Sequence, residues 1–178
     1  DLVAPELDNV RAVLDWSAEH EPERGLDLAA SLEGFWLVRE QSEGAARLEP
    51  LLARAPDAEP DLRAHALRAL GGALQLSGEP ERAAPYYQQS LELFIASGDE
   101  VQTANLRYRV AGNMVDRGET AAAWPLLEES LRTFRHLGLR RGEAQALGYL
   151  SEQAYGDGDL ALAIERAPAR VDGAHRAK

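Results

Sequence analysis

Cysteine is absent from the 178 residues, which removes disulfides, thiolate nucleophiles and cysteine metal sites together and suits a reducing compartment. Lysine is almost absent as well: Lys178 is the only one among 19 basic residues, and the bias toward arginine and alanine is that of a GC-rich genome. No run approaches the roughly 18 apolar residues that a membrane helix needs, and no basic, then apolar, then small-residue leader opens the chain. These absences lead to the expectation of a cytoplasmic protein, with no membrane contact, held together by packing alone. Basic charge is outweighed, leaving a formal net charge of −11; phosphate backbones are repelled, so no direct nucleic-acid contact is expected of this chain. The first residue is Asp1 and not Met, which points to a piece of a longer protein.

Catalytic devices are missing too. There is no Gly-x-x-x-x-Gly-Lys-Ser/Thr phosphate loop and no Gly-x-Ser-x-Gly nucleophile elbow. The four histidines, His20, His65, His136 and His175, are scattered, and His20-Glu21 lacks the second histidine of a zinc-protease helix. Asp157-Gly158-Asp159 has the opening of a calcium loop, but Ala161 fills the next alternate position and no glycine follows it; a helix cap and turn is the simpler reading. With no nucleophile, base and orienting group in plausible register, the expectation is no enzyme, no cofactor and no metal.

What is present is a folded composition, 45% hydrophobic and 28% charged, with a strong internal period. Gly78, Gly98, Gly118, Gly138 and Gly158 recur every 20 residues. Each follows an amphipathic run, where glycine reaches the left-handed conformation that ends a helix. Two such units make a hairpin, so the true period is 40: Ala83, Ala123 and Ala163 recur at that spacing, as do Ser90 and Ser130, Leu91 and Leu131, Phe94 and Phe134, Pro85 and Pro125, and the series Leu70, Val110, Leu150. The alanines supply a close helix crossing, while Tyr87, Leu91, Phe94 and Leu127, Leu131, Phe134 form one apolar stripe in each second helix.

This predicts an all-α fold, an α-α superhelix of helical hairpins. Its helices cover Asp61–Ser77, Glu81–Ser97, Val101–Arg117, Ala121–Leu137, Gly142–Tyr155 and a short Leu160–Ala167, which Pro168 stops. The repeats are then 61–100, 101–140 and an incomplete 141–167, followed by a frayed tail at 168–178. Pro85 and Pro125 each remove one helical hydrogen bond at matched positions. Residues 1–60 read as a degenerate repeat continuous with the rest, with helices at Pro5–Glu19 (Leu7, Val10, Leu14 and Ala18 on one face), Glu23–Glu40 and Glu43–Ala55. Trp36, Leu48, Leu51 and Leu52 are its apolar anchors.

Leu70-Gly71, Gly78, Ala83 and Tyr87, then Val110-Ala111, Gly118, Ala123 and Leu127, then Leu150-Ser151, Gly158 and Ala163 resemble the tetratricopeptide repeat family, which places a leucine and a small residue in the first helix, glycine in the turn and alanine in the second. The period of 40 departs from that family's usual length of about 34 residues. Such elongated repeats are similar to those of large bacterial transcription regulators of the LuxR-like and AfsR-like (STAND) kind. The segment Glu6-Leu7-Asp8-Asn9-Val10-Arg11-Ala12-Val13-Leu14-Asp15-Trp16 looks like the one that opens their repeat region, and Leu126-Leu127-Glu128-Glu129-Ser130-Leu131 with Phe134 looks like their repeats. The resemblance implies the sensor or interaction portion of a multidomain regulator that binds a protein, a peptide or a small-molecule effector. A self-assembly module, associating through its terminal repeats, is the alternative.

In that family the first helices line the concave face. The corresponding offsets here are His65, Arg68, Gln75, Asn105, Tyr108, Arg109, Asp116, Gln145, Glu152 and Tyr155, a mixed hydrogen-bonding set suited to a peptide or a polar small ligand. Each of them is equally at home as a solvated helix residue. The basic carboxylate clamp of the family's chaperone-binding members is not reproduced, because no lysine is available. Arg132, Arg135, Arg140 and Arg141, with His136, form an arginine cluster that either docks an acidic partner or complements helix C-termini.

Overall fold

All five ladder glycines take a positive φ, between 68° and 83°, and among the described residues no other residue type does. A computed structural model describes residues 6–156 and Gly158. Within it the helices end where the ladder requires. At Gly78, Gly118 and Gly138 the glycine N–H returns to the carbonyl three residues back, and the next residue's N–H reaches five back, as in Glu79 to Leu74 at 2.9 Å and Leu139 to Phe134 at 2.8 Å. This pair of bonds satisfies the last orphan carbonyls of each helix.

The described residues form nine helices and no strand: α1 (Leu7–His20), α2 (Pro22–Ser31), α3 (Glu33–Arg39), α4 (Gln41–Arg54), α5 (Pro60–Leu76), α6 (Pro80–Ser97), α7 (Glu100–Asp116), α8 (Thr120–His136) and α9 (Arg140–Gly156). Their starts use familiar chemistry. Pro60 and Pro80 open α5 and α6, where the missing N–H has no helical partner to lose, and the Asp99 carboxylate caps α7 by accepting from the Gln102 N–H at 2.9 Å. Pro85 and Pro125 sit inside α6 and α8 and Pro50 inside α4, and all three helices run on through them. The helix over Leu160–Ala167, its stop at Pro168, the tail at 168–178, Asp157, Asp159 and His175 lie outside the described residues.

From α5 onward each helix packs mainly on its chain neighbours, α5 on α6 and α7 on α8 within hairpins, α6 on α7 and α8 on α9 between them. Leu67, Leu70 and Leu74 of α5 are buried against Ala83, Tyr87, Leu91 and Phe94 of α6, and Ala104 and Ala111 of α7 meet Ala123, Leu127, Leu131 and Phe134 of α8. Ala83 and Ala123 are fully buried, as close crossing demands. The N-terminal helices join the same core: α2 touches α4 and α5, and α1 lies on α2 and α4.

One expected helix is two. The run over Glu23–Glu40 breaks at Leu32 into α2 and α3. The buried indole of Trp36 donates through Nε1 to the Ala29 carbonyl at 2.8 Å, taking the acceptor that the Glu33 N–H would use in an unbroken helix. The Phe35 and Trp36 N–H groups then restart the coil on the Leu32 carbonyl, at 2.9 and 3.0 Å. The break brings Trp36 over Gly44, where a Cβ would fall 2.6 Å from the Trp36 Cβ, and it carries Glu33 to two arginines of the following repeats.

Candidate functional site

The first helices of the three repeats, α5, α7 and α9, line one groove of about 870 Å³, within the size range of ligand sites. Each contributes a helical stripe: Arg68, Gly72 and Gln75 from α5; Gln102, Asn105, Arg109 and Gly112 from α7; Arg141, Gln145 and Tyr149 from α9. Spacings of three and four residues put each set on one face. Tyr87 and Phe134, from the second helices, close the floor.

Charge is organised by a partly buried triad. Arg68 donates through Nη2 to Glu33 Oε2 at 2.6 Å and through Nη1 to Gln102 Oε1 at 2.6 Å. Arg109 Nη2 lies 3.2 Å from the other Glu33 oxygen, a charge contact without hydrogen-bond alignment. The Arg68 and Glu33 side chains are only 15% and 14% exposed, so one carboxylate ties α3, α5 and α7 together where screening by water is weak.

Three tyrosines add apolar faces with polar tips. Tyr87 is buried, and its burial pushes the phenol up to about 12 while the Arg109 guanidinium pulls the other way. Tyr108 is also pushed up to about 12, chiefly by burial and then by Tyr149. The Tyr108 and Tyr149 rings meet edge to face with centroids 5.4 Å apart. Tyr149 is raised by burial first and by the Asp116 and Glu152 charges after it. Gly112 lets that ring cross α7, since a Cβ there would stand 3.1 Å from Tyr149 Oη. Gly72 does the same for the Arg109 guanidinium, which would be 3.3 Å from its Cβ.

Of the ten expected positions, Arg68, Gln75, Asn105, Tyr108, Arg109 and Gln145 line this groove together. Asp116 stands at its edge, accepting from Gln75 Nε2 at 2.5 Å, and Glu152 is exposed beside Tyr108 and Tyr149. His65 is elsewhere: its ring lies edge-on to Phe94 with centroids 5.1 Å apart, in the α5–α6 packing, 3.7 Å from the Asp61 carboxylate. The Tyr155 side chain lies outside the described residues. Reasoning by family offset missed Glu33, Tyr87, Gln102, Arg140, Arg141 and Tyr149. A usable signal for part of this was Gly72 and Gly112, forty residues apart inside helices where glycine otherwise only costs stability.

The arginine cluster is divided. Arg140 and Arg141 line the groove, Arg135 Nε pairs with Glu143 at 2.8 Å, and Arg132 and His136 border a second depression of about 490 Å³ with Arg107 and Ile95. Among the described residues no three His, Asp or Glu side chains gather as metal ligands, and no helix is long and apolar enough to cross a membrane.

No family model matches the chain, and no curated protein matches it. Among solved structures it is similar to BtubC (BKLC) from P. vanneervenii, with a TM-score of 0.66 and 19% identity over 92% of this chain and 67% of that one. At this identity the likeness speaks for the fold: the chain is an all-α superhelix of tetratricopeptide-like helical hairpins, a helical repeat scaffold.

Proposed function

We propose that the chain is a non-catalytic binding scaffold, the sensor or interaction portion of a multidomain bacterial transcription regulator, and that its partner, a protein, peptide or small-molecule effector, occupies the groove of α5, α7 and α9. The observation that carries the reading is the convergence of Asn105, Tyr108, Arg109 and Gln145 from two repeats on one groove of ligand size. The regulator context rests on the resemblance at Glu6 to Trp16 and is supported by the repeat scaffold that follows it. Occupancy would tie the first helices of successive repeats together, and in a solenoid such a constraint alters curvature along the whole stack.

The test uses the intact protein that contains this chain, driving a reporter gene. Replacing Asn105 and Tyr108 by alanine abolishes the signal-dependent response while the chain keeps its helical circular dichroism. An unchanged response removes the groove from the function. A phosphate loop encoded upstream of Asp1 is the companion expectation, and an upstream sequence without one sinks the regulator reading.

A second reading is self-assembly through the N-terminal helices, favoured by Val13 and Trp16, half-exposed one turn apart on α1. Light scattering over a concentration range decides it: a strict monomer excludes it, and a dimer lost in Trp16→Ala supports it.

A further inference from the structure

Leu67, Arg107 and Leu147 stand forty residues apart and hold the same place in three successive first helices. Leu67 is buried and Leu147 partly so, so the repeat uses an apolar side chain where α7 carries a guanidinium. That guanidinium is 23% exposed and makes no hydrogen bond among the described residues; Glu129 Oε1 stands 3.4 Å from Nη2, a charge contact alone. The same departure recurs on α8. Arg132 and His136 hold the places of Glu92 and Ala96 in the preceding repeat. Both are exposed, and neither side chain has a partner among the described residues. A chain that breaks its own repeat at three positions and leaves the new groups unpaired breaks it for something other than folding.

All three side chains line one depression of about 490 Å³, bounded by the end of α6, the first half of α7 and the last turns of α8. It shares no residue with the groove of α5, α7 and α9. Arg132 and His136 are one turn apart on one face of α8, and packed helices such as α7 and α8 lie about 8–10 Å apart, so the two guanidiniums and the imidazole converge on one small anion. Thr103, buried one turn before Arg107, adds a hydroxyl with no partner among the described residues. Among the lining residues the acid is Glu100, one turn earlier still. Its carboxylate repels a second anionic group and accepts from a hydroxyl.

We propose that this depression is a binding site for a small hydroxylated phosphomonoester, with the phosphate held by Arg107, Arg132 and His136 and a ligand hydroxyl by Glu100. Guanidinium forks match the oxygens of a phosphate. The volume is that of small-ligand sites, and Ile95, half-exposed on the lining, offers contact to carbon. Inorganic phosphate has no group for Glu100, and an ester with a second anionic group brings that charge against it. The net charge of −11 keeps polyanions at a distance, whereas one phosphate is screened from it beyond about 8 Å at physiological salt.

Isothermal titration calorimetry of the 178-residue chain with glycerol 3-phosphate reads the site. Expected is half-saturation below about 1 mM, at least tenfold tighter than for inorganic phosphate or for 3-phosphoglycerate, whose carboxylate meets Glu100. Arg107→Leu and Arg132→Glu each weaken binding at least tenfold. Both install what the repeat carries at the equivalent positions, so the fold survives, which circular dichroism verifies. Arg140→Ala, in the groove, changes binding less than twofold. Glu100→Gln admits 3-phosphoglycerate and narrows the preference to less than threefold. Half-saturation above about 20 mM that sulfate reproduces marks an adventitious ion only and overturns the site. Binding that Arg107→Leu and Arg132→Glu leave unchanged overturns it as well. A preference unmoved by Glu100→Gln overturns the role of that carboxylate in selecting the ester. Attachment to vesicles of phosphatidic acid in phosphatidylcholine, without binding of the free ester, overturns the small ligand in favour of a lipid headgroup.

Discussion

Ser90 and Ser130 stand forty residues apart, both fully buried in second helices. Ser90 Oγ donates to the Ala64 carbonyl of α5 at 2.7 Å, whereas Ser130 Oγ has no partner among the described residues. A net hydrogen bond contributes about 0.5–1.5 kcal/mol, and a buried hydroxyl left unpaired costs about as much. Urea unfolding should therefore separate two identical substitutions: Ser90→Ala loses about 1 kcal/mol, and Ser130→Ala is neutral or gains up to about 1 kcal/mol. Equal losses at both sites contradict the unpaired hydroxyl. Tyr87 provides a second test at this scale. Its phenol is raised to about 12 by burial, against about 10 in an unfolded chain. The folded state keeps the proton that the unfolded state releases, so Tyr87 contributes fully below pH 10, and that contribution is lost as pH rises from about 10 to 12. Between pH 9 and 12 the stability of Tyr87→Phe should improve relative to wild type by on the order of 2 kcal/mol in urea titrations. A constant gap across that range refutes the shift.

At the scale of elements, successive helices are brought close, within a hairpin and between hairpins, by letting an aromatic ring of one lie on a glycine of the other. Tyr87 covers Gly71, and Phe134 of α8 covers Gly142 of α9, where an added Cβ would fall 2.6 Å from Phe134 Cδ1. Gly148, on the same helix, would meet nothing within 4 Å. Helix propensity favours alanine over glycine by up to about 1 kcal/mol at both positions, but overpacking costs about 1–3 kcal/mol where the ring is in the way. Gly148→Ala should raise the thermal midpoint and Gly142→Ala should lower it; a rise in both places the ring elsewhere. The ladder glycines and the forty-residue alanines made the helices from α5 to α9 legible to within two residues, because period and cap chemistry are local. The α2–α3 break was not legible: it depends on Trp36 reaching a carbonyl seven residues back once both are buried. The groove was legible in part for the same reason. Its helical stripes follow from the period, while Glu33 enters only through that break, and Arg140 and Arg141, at a helix start, fall outside the offsets of interior positions.

Across the whole molecule, the contact pattern is nearly one-dimensional from α5 onward, each helix resting on its chain neighbours. Stability in such a stack is a sum of local terms and interfaces, and openings begin at an end. The N-terminal end differs: α2 meets α4 and α5 together, and Arg11 pairs with Glu43 across α1 and α4 through Nη2 at 2.6 Å. That bond to Arg11 is the main cause holding the Glu43 carboxyl below its usual range. Damage at the α8–α9 interface should therefore stay local. In native-state hydrogen exchange followed by mass spectrometry, Gly142→Ala should speed exchange in α9 and α8, change α6 and α7 less, and leave α2 and α4 as protected as in wild type. A uniform acceleration from α1 to α9 would mean that the chain opens as one cooperative unit. Curvature at one end could then be sensed at the other without any contact between them, and a ligand in the groove would be read by the entire stack at once.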